Sequence, residues 1–222
     1  MSTPKIQILG LLNYNKRIEN LETEVANLLY EAISISSFTN NIGNVEMGST
    51  ITNVTLAWKF NKVPETVTLD GVAKAIDSTG ETITGLSITS NKSWTLVATD
   101  ERGATSTKKT TLSFLNGVYY GVSNLTEITD DNGVLASFRD ALTKDLRSDK
   151  LTSFSVNADE GEYIYYLLPK RMGTCSFNVG GFDGGFGLID TANLTNASGY
   201  PEEYYIYRSD NLGLGQTTVK VS

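Results

Sequence analysis

TITNVTLAWKF, residues 50–60, decides the class of fold. Val54, Leu56, Trp58 and Phe60 recur at every second position, with Ile51 ahead of them and Thr, Asn, Ala and Lys between. Successive side chains of a strand point to opposite faces, so the spacing predicts a half-buried β-strand. Asn61-Lys62-Val63-Pro64 ends it. Working outward, Val67 and Leu69 predict a second strand, closed by the tight-turn pair Asp70-Gly71. Leu86 and Ile88, then Trp94, Leu96 and Ala98, predict two more strands about Asn91-Lys92. Asp100-Glu101-Arg102-Gly103 is a further turn, and Thr107 to Leu115 follows with Thr110, Leu112 and Phe114 on one face. Short strands punctuated by turns at intervals of about ten residues predict an immunoglobulin-like β-sandwich over residues 38–116. The cysteine pair of antibody domains is absent, so the prediction concerns architecture alone.

Beyond Asn116-Gly117 the pattern changes. Val118-Tyr119-Tyr120 opens a strand. Asp130-Asp131-Asn132-Gly133 reads as a turn and helix cap, and a helix is expected from about Val134 to Leu146, with Leu135, Phe138, Leu142 and Leu146 on one face. Strands follow around 153–156, 162–168, 175–179, 204–207 and 217–221. Residues 117–222 therefore read as an α+β domain, one helix on a mainly antiparallel sheet.

Upstream, the stripe is helical. Ile18, Leu21, Val25, Leu28, Ala32 and Ile35 are spaced three, four, three, four, three, the a and d positions of a heptad. Asn13 or Asn15 would cap the helix, and the serines after Ile35 would end it. Such a helix of about 22 residues spans about 33 Å and is marginal without a partner face. Residues 1–37 are thus read as an anchor and coiled-coil helix. Leu29 and Ile33 widen the stripe, which leaves open an amphipathic helix lying on its own domain. The fold expected overall is mainly β, with an N-terminal coiled-coil helix, a sandwich and an α+β C-terminal domain.

Composition narrows the chemistry. The 222 residues contain no histidine, which removes Ser-His-Asp and Cys-His nucleophiles, histidine bases and the usual zinc sites. Cys175 is the lone cysteine, so no intrachain disulfide can form, and it is expected as a small apolar residue. The net charge of −7 argues against nucleic acid as a partner. Residues 117–222 carry eight basic and fourteen acidic side chains, so nearly all the excess lies there. No apolar run reaches the length of a membrane span, and the first ten residues lack the pattern of a signal peptide. No membrane partner and no cofactor are expected.

Three constellations remain. Val179-Gly-Gly-Phe-Asp-Gly-Gly-Phe-Gly187 lacks the residues of a phosphate cradle and reads as a loop needing positive φ, with Phe182 and Phe186 as the contacts if it meets a ligand. Asp130, Asp131 and Asn132 lack the ligand spacing of a calcium loop. Glu160 and Glu162, or Glu202 and Glu203, stand beside tyrosines, but adjacency in sequence does not set the carboxylate separation that glycoside hydrolysis needs. No metal site or catalytic residue is assigned.

Two groups of segments together resemble a family of bacteriophage virion proteins, the tail, baseplate and fibre components. Residues 50–71 and 94–117 resemble their immunoglobulin-like module. GVYYG (117–121), YYLLPKRMG (165–173), FNVGGFDGGF (177–186) and YYIYRSD (204–210) resemble the domain after it. The resemblance implies a non-enzymatic structural or host-attachment role on a virion assembled in a bacterial cytoplasm, with other virion proteins and a host surface glycan as partners. It carries over no site residues. Arg17-Ile-Glu-Asn-Leu-Glu22 is similar to a short trimerisation motif in which Arg17 and Glu22 pair between chains. β-branched Ile18 and Val25 at a with Leu21 and Leu28 at d follow the rule for dimers instead. The expectation is a homotrimer. The alternatives are a carbohydrate-binding module and a carboxylate-dependent glycosidase.

Overall fold

A computed structural model of the chain describes residues 4–128 and 132–222. In chain order the elements are α1 (Pro4–Leu28), β1 (Ile35–Asn40), β2 (Asn44–Glu46), β3 (Ile51–Phe60), β4 (Thr66–Leu69), β5 (Val72–Lys74), β6 (Gly80–Ile88), β7 (Lys92–Thr99) and β8 (Thr105–Ser123). There follow α2 (Asn132–Ala141), β9 (Thr143–Arg147), β10 (Ser153–Ala158), β11 (Tyr163–Pro169), a 3-10 turn at Lys170–Met172, β12 (Phe177–Val179), β13 (Phe182–Asp183), β14 (Phe186–Thr195), β15 (Pro201–Ser209) and β16 (Gly215–Val221). The fold is mainly β with sandwich-like sheets. Two compact units interleave along the sequence: residues 1–38, 58–79 and 95–109 form one, and 39–57, 80–94 and 110–222 the other. β1, β3, β7 and β8 each supply residues to both.

In the first unit β4 pairs antiparallel with β5 and with β7. Asp70 and Gly71 both take positive φ, 49° and 81°, and join Leu69 to Val72 as a two-residue turn. The expected alternation holds on β4 and β7: Val67, Leu69, Leu96 and Ala98 are buried. Phe38 meets Trp58 edge-on, with centroids 6.3 Å apart. The Trp58 indole N–H is not stranded, because it donates to the Ser78 carbonyl at 2.7 Å.

In the second unit β3 pairs antiparallel with β6, and β2 runs parallel to β8. Val54 and Leu56 on β3, and Leu112 and Phe114 on β8, are buried as their period-two spacing requires. β8 passes through Asn116-Gly117 without a break, so that dipeptide is a point within a strand. It then pairs with β9 and β11, and β11 with β15, and β15 with β14, all antiparallel. A second antiparallel sheet has the order β10-β16-β12-β13.

β11 lies between two cores. Tyr165 and Leu167 join Leu135, Phe138 and Leu142 from α2 and the residue after it. Ile164, Tyr166 and Leu168 join Phe154, Phe177 and Val219 of the other sheet. Helix, sheet and sheet therefore stack as three layers, and YIYYLLP is a strand of the middle layer, buried on both faces.

Two helix expectations are corrected. α1 begins at Pro4, earlier than Asn13, and ends at Leu28. Ala32 lies outside it, exposed, and Ile35 is the first residue of β1, buried. Ile33 and Ile35 satisfy a period of two as well as the heptad count, and burial in the β core wins. α2 ends at Ala141, and Leu146 belongs to β9, half-buried, in a strand opposite Gly117. Asp130 and Asp131, read as turn and cap, lie outside the described residues.

Candidate functional site

The candidate site is the apolar stripe of α1 together with the joint that holds its C-terminal end. Ile18, Leu21 and Val25 keep 52 %, 57 % and 51 % of their surface exposed, and Leu28 keeps 85 %. Leu11, Leu12, Tyr14 and Leu29 are exposed as well. Ile18, Leu21, Glu22, Val25, Ala26 and Leu29 line a shallow groove of about 480 Å³. Arg17 and Glu22 flank the stripe on exposed positions. An uninterrupted run of large apolar side chains on one face of a solvated helix is the kind of surface that marks an interface.

The joint is built from residues far apart in sequence. The guanidinium of Arg102 donates to the Ala26 carbonyl at 3.0 Å and to Asn27 Oδ1 at 2.8 Å. A cation at the last turn of a helix satisfies carbonyls that have no helical partner and complements the negative end of the helix dipole. Two residues on, the Tyr30 hydroxyl donates to Asp100 Oδ2 at 2.6 Å, with Arg102 and Lys62 over its ring at 4.2 and 4.6 Å. The Ile33 N–H donates to the same oxygen, and Lys62 Nζ lies 3.1 Å from it. The other carboxylate oxygen accepts from the Arg102 and Ala104 N–H groups of its own turn. Asn61 closes the joint: it accepts from the Ser34 N–H and donates to the Ala32 carbonyl and to Glu31.

Asp100 is 2 % exposed. Its removal from water opposes ionisation, but the hydrogen bonds from Tyr30, the Ile33 N–H, Lys62 and the Arg102 N–H outweigh that and hold the carboxyl well below the usual carboxylate range. The Tyr30 hydroxyl is pushed up, first because it donates to Asp100. Lys62 is raised: desolvation works against its charge, and the bonds to Glu101 and Asp100 prevail. The joint is thus an ionised carboxylate that gathers five donors and fixes the chain leaving α1.

In the sequence, Asp100 and Arg102 belong to a turn and Lys62 to a strand break, and nothing marks Tyr30. Tyr30 and Asp100 are 70 residues apart, and Lys62 and Arg102 likewise meet partners in distant segments, so no local pattern announces such a contact. The polar quartet DERG after an alternating strand was the visible signal, and it identifies a turn only.

The glycine-rich segment is a hairpin. Gly180 and Gly181, with φ of 56° and 97°, join Val179 to Phe182 in a two-residue turn, which is the positive-φ requirement read from the sequence. Phe182 is 82 % exposed near the tip. Phe186 points elsewhere: it is half-buried and stacked on Phe177, with centroids 4.5 Å apart. The structure thus separates the two phenylalanines. Cys175 is half-buried, and burial pushes its thiol up to about 11. Of the carboxylates noted beside tyrosines, Glu202 accepts from Asn116 and faces Arg171, Glu203 pairs with Lys170, and Glu162 accepts from the Asp159 N–H.

No known protein-family profile matches this chain, and no curated protein matches it. Among solved structures it is similar to the N-terminal eight Ig domains of Down syndrome cell adhesion molecule, at 9 % identity and a TM-score of 0.25, over 81 % of this chain and 23 % of that one. It is also similar to a chitinase from Bacillus thuringiensis (10 %, 0.26, over 85 % and 26 %) and to a segment of titin (11 %, 0.28, over 86 % and 65 %). The chain spans about a quarter of the length of the first two.

Proposed function

We propose that this chain is a non-enzymatic, self-assembling structural protein of a bacteriophage virion, a homotrimer joined through α1. The observation that carries the assembly reading is an exposed heptad stripe on a helix whose far end is tied down by Asp100, Tyr30 and Arg102. A helix with no further use would not need a buried carboxylate and five donors to fix its exit. Covering Ile18, Leu21, Val25 and Leu28 against other chains would contribute on the order of 1.5–3 kcal/mol per fully buried side chain. Arg17 and Glu22 flank the stripe at positions that meet between parallel helices. The immunoglobulin-like character of the sandwich rests on the spacing of its strands and turns and on the sequence resemblance; the virion setting, other virion proteins and a host glycan as partners rest on the resemblance. One observation favours the carbohydrate-binding alternative, the exposed ring of Phe182 beside Asp183 and Asn178.

Sedimentation equilibrium at micromolar concentration tests the assembly. The expected mass is three times the 24.1 kDa chain. Leu21→Asp, which puts a charge into the stripe, is expected to return the mass to one chain with the circular dichroism of the β body unchanged. A wild-type mass of one chain would overturn the reading.

A further inference from the structure

Asn116 is 3 % exposed, and the two polar atoms of its side chain have different fates. Nδ2 donates to Glu202 Oε2 at 2.8 Å, while Oδ1, equally buried, meets no donor. A buried carbonyl without a donor bears its full desolvation cost, and native interiors rarely leave one so. Turning the amide over does not help. It would set Oδ1 against the Glu202 carboxylate and strand two N–H groups in its place.

The local architecture explains why no protein group reaches Oδ1. Leu115 is the last residue of β8 paired with parallel β2, and Asn116 is the first paired with antiparallel β9. Gly117 follows, and a Cβ there would lie 2.8 Å from the Tyr119 ring, so a larger side chain would require that buried ring to move. Where β8 exchanges one partner for the other, a cavity of about 10 Å³ remains, walled by Gly117, Tyr119, Leu194, Tyr200, Glu202 and Tyr204. A single water needs about 10–15 Å³ of such space, so the cavity holds one small species and nothing larger. The Tyr204 hydroxyl is committed to the Gly117 carbonyl at 2.7 Å and cannot turn to Asn116. Glu202 already faces Arg171 at 3.5 Å, so the site carries no uncompensated negative charge that would call for a cation.

We infer that Asn116 holds one internal water, which donates to Oδ1 and finds its further polar partners among Glu202, Asn196 and the tyrosines that line the same cavity. This water is a structural part of the β2–β8–β9 junction, independent of how α1 assembles. An X-ray structure of the full chain, at a resolution that shows ordered waters, tests the inference. A peak within hydrogen-bond distance of Oδ1, present in two crystal forms and absent in Asn116→Leu, is expected. An empty cavity in the wild-type map overturns the inference whether or not the variant folds. So does a peak ringed by oxygens at metal distances, or a peak that persists in Asn116→Leu.

Discussion

α1 and α2 are both amphipathic, and the molecule treats them oppositely. Leu135 and Phe138 of α2 are buried, together with Leu142 just beyond it, against Tyr119, Tyr165 and Leu167. Ile18, Leu21, Val25 and Leu28 of α1 make a stripe just as regular, and it stays in water. Periodicity reports that a face wants covering; it does not say what covers it. α2 is 10 residues long and finds its cover within its own unit. α1 is 25 residues long, and among its described side chains, from Leu11 onward, the hydrogen bonds that tie it to the rest of its unit lie at the last turn. A helix held by its end, with its stripe open from Leu11 to Leu28, is the arrangement expected when the cover belongs to another chain.

The largest test of this contrast is Phe138→Ala. Phe138 is buried edge-on to Tyr165, with centroids 4.8 Å apart, and its truncation should cost about 3–5 kcal/mol of unfolding free energy in chemical denaturation. Leu21→Asp, measured below the concentration at which chains associate, should change that free energy by no more than about 0.5 kcal/mol. If both variants destabilise the isolated chain alike, the stripe of α1 is packed on its own body and the contrast fails.

The joint offers a smaller and more local effect. Asp100 is held ionised, below its ordinary range, so its contribution is present at every pH above the unfolded carboxylate value of about 3.9 and is lost only as pH falls through the lower folded value. Amide exchange of residues 26–33 should therefore show the same protection at neutral and mildly acidic pH, and lose it in strong acid. Asp100→Asn removes the charge that Lys62 and Tyr30 bind, and should raise exchange over those residues at neutral pH while the three-layer core stays protected. Uniform loosening of the whole chain would mean that Asp100 serves the sandwich rather than the helix.

Much of this was legible, and the failures have physical causes. TITNVTLAWKF gave away its strand because one face is buried and one is wet, and Asp70-Gly71 gave away its turn because two successive positive-φ residues demand such a pair. YIYYLLP announced a strand but not its place, since a strand buried on both sides loses the alternation that would orient it. The heptad count ran on through Ala32 to Ile35 because a short apolar series can satisfy periods of two and of three and a half together. Phe186 to Thr195 does not read as a strand because Gly187 and its polar residues look like loop, whereas pairing with β15, with a bulge between Leu188 and Asp190, holds it extended. On the helix, the stripe could be read and the joint could not: every donor to Asp100 from outside its own turn comes from a distant segment.

The same contrast of covered and open faces recurs in miniature at Phe186 and Phe182. Both stand in one glycine-rich run, and the sequence gives no reason to separate them. Phe186 stacks on Phe177 at an interplanar angle of 14°, so Phe186→Ala should cost about 1–2 kcal/mol. Phe182 lies near the hairpin tip, where Gly180 and Gly181 set the turn without help from its ring. Phe182→Ala should therefore shift unfolding free energy by no more than about 0.5 kcal/mol. A side chain with no role in stability is free to serve at a surface. If Phe182→Ala also leaves glycan-array binding and adsorption to host cells unchanged, the ring has no ligand and the carbohydrate reading loses its one supporting observation. If binding falls while stability holds, Phe182 joins the α1 stripe as an apolar surface kept open for contact.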